Sequence, residues 1–144
     1  MRTETQLIAA AQAGVTIASN NILSAYHELA RQADCVLVEG VGGWQVPLAA
    51  DETLADLARA LGLEVILVVA MRLGCLNYAL LTAESVVARG CSLRGWVANR
   101  LSPQPEFVQE NINSLKSRLS SPLLGVLPTL SGIDARAVAE NLTL

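Results

Sequence analysis

The sequence is poor in the side chains on which several common protein classes depend. Its 144 residues include one histidine, His27, and one lysine, Lys116, and only 3% are aromatic. A single histidine gives no support to a histidine-rich zinc site or a catalytic triad. The net charge of −3 argues against a nucleic-acid-binding surface, which needs clustered lysine and arginine. His27 lies beside an apolar helical stripe and is interpreted as a surface residue.

Cysteines and long apolar runs are also scarce. The three cysteines, Cys35, Cys75 and Cys91, form no C-x-x-C pair, so neither a disulfide framework nor a zinc site is expected. We expect Cys35 and Cys91 to be reduced residues in or near the core. The longest clean apolar run, Val65–Met71, is too short to span a bilayer, and no segment of signal type begins the chain. These absences predict a cytoplasmic protein that binds neither nucleic acid nor membrane.

The apolar residues that are present fall into four short runs. Hydrophobic residues make up 52% of the chain, which is enough for a sizeable core. The runs recur every 29 to 30 residues, about the length of a strand–helix–strand unit. They are continuously apolar, which is typical of parallel strands covered on both faces. The predicted strands are Cys35–Val38, Val65–Val69, Leu93–Ala98 and Leu123–Leu127. The pattern predicts an α/β fold with a doubly wound parallel sheet, in a single domain covering residues 1–144.

The intervals between these runs carry helical patterns. Apolar residues recur there every three or four positions, which is the spacing of one helix face. Ser102-Pro103 is interpreted as the start of the last of these helices. The stripes consist of Ile22, Tyr26, Leu29 and Ala33; Leu54, Leu57 and Leu61; Leu76, Leu80, Ala83 and Val87; and Val108, Ile112, Leu115 and Leu119.

Polar residues and glycines follow the ends of the predicted strands. These segments are residues 39–43, 70–77, 99–100 and 128–130. Ligands of parallel α/β sheets bind beyond the carboxyl ends of the strands. The coincidence predicts an active site at that edge.

Individual residues at these strand ends allow both a structural and a functional interpretation. Glu39 ends an apolar run and is followed by three glycines within four residues, so it is either a metal ligand beside a phosphate-binding turn or a solvated residue of a tight turn. Asn77 either caps a helix or binds a ligand. Asn99 carries an amide that suits the donor and acceptor of an adenine edge, although a lone asparagine is a weak signal.

Three segments together resemble the dethiobiotin synthetase family. They are VEGVGGWQVPL at residues 38–48, VVAMRLGCLNYALLTAE at 68–84 and GWVAN at 95–99. The resemblance is to the carboxyl-terminal two-thirds of that family and implies a P-loop NTPase-like fold. Two positions depart from the family pattern: Ala70 stands where glycine is usual, and Tyr78 where histidine is frequent.

The resemblance also implies roles for individual residues. Glu39 would be the magnesium ligand, and no residue is assigned to catalysis as such. The ATP-binding residues would be Gly42, Gly43, Asn99, Pro128, Thr129 and Leu130. The substrate-binding residues would be Leu73, Cys75, Leu76 and Asn77, which in the family hold the carboxylate tail of the diamine across a homodimer. Asp134 is a possible substitute for an acidic nucleotide contact of the family.

The implied activity is cyclic urea formation from 7,8-diaminononanoate and CO₂, with Mg²⁺ as cofactor and ATP as co-substrate. No phosphate loop ending in Gly-Lys-Ser/Thr occurs in the sequence. We therefore expect a truncated or split product that needs a complementing amino-terminal chain and is inactive alone. Two alternatives stay open: a non-catalytic remnant or assembly subunit, and a cobyrinic acid amidase-type domain, although no glutamine-amidotransferase segment is present.

Overall fold

The computed structural model describes residues 6–40, 42–101, 107–129, 132 and 134–143. The chain divides into two compact units, Met1–Leu63 and Glu64–Leu144. The helices and strands in chain order are α1 (Gln6–Gln12), α2 (Ser19–Ala30), α3 (Leu54–Leu61), β1 (Val65–Ala70), α4 (Cys75–Ala88), β2 (Leu93–Asn99), α5 (Val108–Lys116), β3 (Leu123–Leu127) and α6 (Ala135–Ala139).

The second unit contains a three-stranded parallel sheet in the order β1-β2-β3. Irregular register is confined to the amino-terminal ends of the pairings, at Val65/Ile66 and Trp96/Val97. From there to the carboxyl ends the strands pair residue by residue. The α/β fold with a parallel sheet is therefore confirmed.

Helices α4 and α5 pack on this sheet through an aliphatic core. Trp96 and Leu115 are fully buried at its centre, and α4 contributes the small residues Ala79 and Ala83 to the buried set. The other buried members of the cluster are Val69, Met71, Cys75, Ala98, Val108 and Ile112. Small residues on α4 let the helix approach closely, which suits a core with few aromatic side chains.

The first unit is helical in its described part. Leu48, Leu57 and Leu61 form its buried cluster, and side chains of α2 pack against them. Helix α3 begins with a capping box, because Thr53 accepts a hydrogen bond from the Asp56 backbone and the Asp56 carboxylate accepts one from the Thr53 backbone. The loop before α3 is held by the isolated antiparallel bridge between Pro47 and Thr53.

Most predicted elements form, but the first predicted strand does not. The prediction of a strand at Cys35–Val38 is wrong: residues 35–40 form no strand, and Leu37 and Val38 are 86% and 46% exposed. An apolar run supplies side chains, whereas a strand also needs a hydrogen-bonding neighbour, and the described residues provide none here. Cys35 is exposed, so its prediction as a core or near-core residue is wrong as well.

The remaining expectations have mixed outcomes. His27 is exposed, as predicted. Helix α2 ends at Ala30, before the last residue of its predicted stripe. The start predicted at Ser102-Pro103 lies outside the described residues. No helix in the described ranges is long and apolar enough to cross a membrane. The single-domain assignment stays a prediction.

Replacing Leu115 with alanine is expected to lower the free energy of unfolding by about 2–5 kcal/mol, because it leaves a cavity in a fully buried site. The matched control is Leu101→Ala, which removes the same atoms from a side chain that is 55% exposed. Urea unfolding followed by Trp96 fluorescence, in a Trp44→Phe background, measures both. Equal destabilisation by the two variants would contradict the described core.

Candidate functional site

The carboxyl ends of the three strands lie level at one edge of the sheet. Ala70 of β1 pairs with Asn99 of β2, which in turn pairs with Leu127 of β3. The backbone continues this pairing beyond the strands, since the Met71 N–H donates to the Asn99 carbonyl over 2.8 Å and the Arg100 N–H to the Leu127 carbonyl over 3.2 Å. The segments predicted to bind ligand at residues 73–77, 99 and 128–129 therefore meet at this edge. Leu130 lies outside the described residues.

The turn between β1 and α4 ends in backbone donors that lack an acceptor among the described residues. Gly74 precedes the helix with a φ of 86°, a conformation that glycine adopts without strain. The Cys75 N–H donates to the Arg72 carbonyl over 3.0 Å. The N–H groups of Leu76 and Asn77 have no acceptor in the part of the chain that the structure describes. Unpaired N–H groups at a helix start favour an anion such as a carboxylate.

The side chains of this turn differ in their surroundings. Leu73 is fully exposed and Cys75 is buried in the core. Asn77 is exposed and lies in the first turn of α4, since the helix already begins at Cys75. Its reading as the helix cap is therefore wrong, and its amide is open to another partner.

Asn99 presents its amide at the end of β2. The residue is partly buried, and its side chain makes no hydrogen bond within the described ranges. Across from it, Pro128 and Thr129 are exposed at the end of β3, where the Thr129 hydroxyl donates to the Arg100 carbonyl over 3.3 Å. This edge thus combines a free amide with a proline ring and a tethered threonine, which suits a flat heteroaromatic ligand.

Two further side chains near this edge, Arg100 and Tyr78, have no role assigned from the sequence motifs. The Nε of Arg100 is buried and has no hydrogen-bond partner. The ring of Tyr78 lies over the turn, since a Cβ on Gly74 would be 3.2 Å from Tyr78 Cε2. The four-residue spacing of Gly74 and Tyr78 was a usable signal for that contact. The position of Arg100 directly after Asn99 was the only signal in its case.

The loop with Glu39 belongs to the first unit. Glu39 is exposed there, and the two glycines that follow it at positions 42 and 43 have φ of 80° and 128°. The Val46 N–H donates to the Gly43 carbonyl over 3.4 Å and closes the turn. A Cβ on Gly43 would meet no atom within 4 Å, so the backbone is open to a close approach by a ligand.

The donor set limits how a metal could be held. No group of three or more histidine, cysteine, aspartate or glutamate side chains in the described ranges is arranged to hold a metal ion. A single exposed carboxylate such as Glu39 fits the mode in which Mg²⁺ keeps its waters and binds one or two carboxylates together with phosphates. Oδ1 of Asp134 accepts the Arg136 and Ala137 N–H groups at the start of α6, and its role as a nucleotide contact stays a prediction.

Comparisons with known proteins identify relatives of this chain. The family model described as an AAA domain matches residues 2–137. The chain is similar to the ATP-dependent dethiobiotin synthetase BioD of Aromatoleum aromaticum, with 53% identity over 95% of the chain, and to that of Xanthomonas euvesicatoria, with 50% identity over 95%. It spans 61% of the length of each of these relatives. The resemblance given by the three motifs is confirmed.

Replacing Gly74 with alanine is expected to change the local structure of the turn between β1 and α4. The matched control, Gly90→Ala, should change that turn less. Both glycines have positive φ, at 86° and 75°, so each substitution costs about 1–2 kcal/mol of backbone strain. Only Gly74→Ala also crowds the Tyr78 ring, since no atom lies within 4 Å of a Cβ at Gly90. Hydrogen exchange should therefore speed up at the Cys75 and Tyr78 amides in Gly74→Ala alone. Unchanged exchange at both amides would contradict the described turn.

Proposed function

Because this chain belongs to the AAA domain family, whose fold is P-loop NTPase-like, we propose that it forms the carboxyl-terminal part of an ATP-dependent dethiobiotin synthetase. The activity would be cyclic urea formation in biotin biosynthesis, as the names of its relatives suggest. The observation that carries the proposal is the level sheet edge, where the turn at 73–77, Asn99 and Thr129 meet.

The nucleotide base would bind at the ends of β2 and β3. The Asn99 amide makes no hydrogen bond within the described ranges, so it can both donate to and accept from an adenine edge. Pro128 and Thr129 would flank the ring, and we assign Leu130 to the same segment. These neutral groups recognise shape and hydrogen-bonding pattern rather than charge.

The carboxylate tail of 7,8-diaminononanoate would bind at the start of α4. The unpaired N–H groups of Leu76 and Asn77 favour an anion at that place. The exposed Leu73 side chain would contact the aliphatic part of the tail, and Cys75 would lie beside the carboxylate with its N–H donated to the Arg72 carbonyl. The tail so held would orient the two amines of the diamine.

The phosphates and Mg²⁺ would lie at the loop that follows Glu39. The Glu39 carboxylate would hold the ion, and Gly42 and Gly43 would contact the phosphate oxygens through their backbone, which has open space beside it at Gly43. Mg²⁺, when bound, supplies positive charge that offsets the phosphates. The protein's own contribution is positioning and the exclusion of misaligned substrates.

The proposed reaction proceeds through a carbamate that one amine forms with CO₂. ATP phosphorylates the carbamate to a mixed anhydride, and the second amine closes the ring with release of phosphate. Catalysis would depend mainly on orientation and charge neutralisation. The phosphate loop, which these residues do not contain, would come from a complementing amino-terminal segment.

The test is dethiobiotin formation from diaminononanoate, bicarbonate and ATP, measured by mass spectrometry. We expect product only when the chain is mixed with an amino-terminal phosphate-loop fragment taken from a relative. The matched control is the same fragment with its loop lysine changed to alanine, which should support no turnover. A folded mixture without activity would favour a non-catalytic remnant, and activity of the chain alone would contradict the need for a complementing segment.

We also propose that two copies associate through the outward face of α4. Tyr78 and Leu81 are three residues apart on that face and are 60% and 57% exposed, which is unusual for large apolar side chains on one stripe. Association would cover both side chains beside the substrate turn.

Leu81→Glu is expected to weaken dimerisation at least tenfold, because it would bury an unpaired carboxylate in the interface. The matched control is Val87→Glu, on the same helix and 61% exposed, but turned away from the Tyr78 and Leu81 stripe. Sedimentation equilibrium of both variants measures the effect. Equal association constants for the two would contradict the proposed interface.

A further inference from the structure

The two outermost strands of the sheet differ in what lies along them. On β3, Gly125 and Leu142 form an antiparallel bridge. The Thr143 N–H also donates to the Leu124 carbonyl over 2.8 Å, so the segment after α6 covers β3 on the side away from β2. Among the described residues β1 pairs with β2 alone. The side of β1 that faces away from β2, which we call the outer side of β1, is therefore an unpaired strand edge.

Alternate residues of β1 present their backbone groups on this outer side. The Met71 N–H donates to the Asn99 carbonyl over 2.8 Å, so the odd-numbered residues of this segment point toward β2. Because consecutive residues of a strand point in opposite directions, the even-numbered residues point away from β2. The N–H groups of Ile66, Val68 and Ala70 accordingly have no acceptor in the part of the chain that the structure describes.

The outer side of β1 is also apolar and carries little that would keep another strand away. Val68 is 59% exposed, whereas its neighbour Val69 is 5% exposed in the core. Proteins usually protect a strand edge with charged residues, prolines or bulges. No charged residue or proline occurs in Val65–Ala70, and the register irregularity is limited to its first two residues. The strand can therefore accept a further strand beside it.

We propose that the outer side of β1 pairs antiparallel with the same strand of a second copy of this chain. A two-fold axis at Val68 sets Val68 opposite its own copy and Ile66 opposite the second copy's Ala70. Outward-pointing backbone groups then meet outward-pointing groups, as antiparallel pairing requires. Valine side chains that lie opposite each other on adjacent strands add an apolar contact at the axis.

The charges that flank β1 favour this partner and this register. Glu64 and Arg72 are exposed and lie four residues before and four residues after Val68. The antiparallel arrangement brings Glu64 of each copy near Arg72 of the other, whereas a parallel one would bring like charges together. Complementary charges fix orientation and register more than they add affinity. Glu64 also pairs with Arg94 over 3.1 Å, and its side chain stays 54% exposed.

The covered side of β3 disfavours a head-to-tail arrangement of copies. In that arrangement β1 of one copy would pair with β3 of the next. The segment after α6 lies directly against β3, since a Cβ on Gly125 would collide with the Asn141 carbonyl oxygen. A two-fold pairing instead uses the outer side of β1 on both copies and closes on itself.

The first test is sedimentation equilibrium of the chain carrying Leu81→Glu, which removes the association proposed through α4. We expect this variant to form dimers. Adding Val68→Lys should weaken them by about tenfold or more, because two lysines would meet at the axis. The matched control adds Val87→Lys, which places the same charge on a valine that is 61% exposed on α4. Circular dichroism checks that each variant is folded.

Reversal of the flanking charges tests the register. In the same Leu81→Glu chain, Glu64→Arg and Arg72→Glu should each weaken the dimer by about threefold, and the two together should restore it. The single and the double variant both lose the contact between Glu64 and Arg94, so that loss cannot explain restoration. Within one chain the two positions are roughly 25 Å apart, at about 3.3 Å per residue of strand, so restoration arises between copies.

Amide hydrogen exchange of the Leu81→Glu chain tests the pairing without a change in β1. Raising the protein concentration through the dimerisation range should slow exchange at the Ile66 and Val68 amides. The Leu67 and Val69 amides already point toward β2, so their exchange should change less. This alternation distinguishes strand pairing from a contact through side chains alone.

Three outcomes would overturn the inference. One is a monomeric Leu81→Glu chain at every concentration tested. A second is equal association of the Val68→Lys and Val87→Lys variants. A third is a monomeric chain whose binding to the phosphate-loop fragment is weakened by Val68→Lys, which would assign the outer side of β1 to that fragment. No readout depends on ATP or turnover, so failure of the proposed function would leave the inference standing.

Discussion

The level register of the three parallel strands is the constraint on which the candidate site depends. The parallel pairing sets Ala70 beside Asn99 and Asn99 beside Leu127. The three strands therefore end next to one another. A slip by one residue would turn every side chain to the opposite face, which burial of Trp96 and Ala98 in the core opposes. Register irregularities occur only at the other end of the pairings, where no candidate residue lies.

The core fixes the turn as well as the sheet. Met71 and Cys75 flank the exposed residues of the turn, and both are buried with the cluster under α4. Their burial holds the segment at two points, while Leu73 between them is fully exposed. A turn anchored at both ends by packing keeps its backbone donors in place without any hydrogen bond from a ligand. Packing therefore fixes the geometry that the proposed ligand would meet in this segment.

Local sequence predicted those parts of the fold that depend on local physics. The apolar run Leu123–Leu127 forms a strand with the predicted bounds. Asn99 was predicted to lie at the end of a strand, and it is the last residue of β2. The run Cys35–Val38 is also apolar but forms no strand, because pairing is a property of two segments and not of one. The buried Nε of Arg100 could not be foreseen either, since burial of a single atom depends on tertiary packing.

The candidate ligand-binding groups at the carboxyl ends of the strands are mainly neutral hydrogen-bond donors and acceptors. Asn99 and the N–H groups of Leu76 and Asn77 are neutral donors and acceptors, and such groups select an orientation without offsetting a full negative charge. The chain as a whole carries a net charge of −3 and a single lysine, Lys116, which lies at the end of α5 away from the ligand edge. The proposed phosphoryl transfer needs positive charge around the phosphates. In the proposal, Mg²⁺ and a complementing phosphate loop would supply that charge.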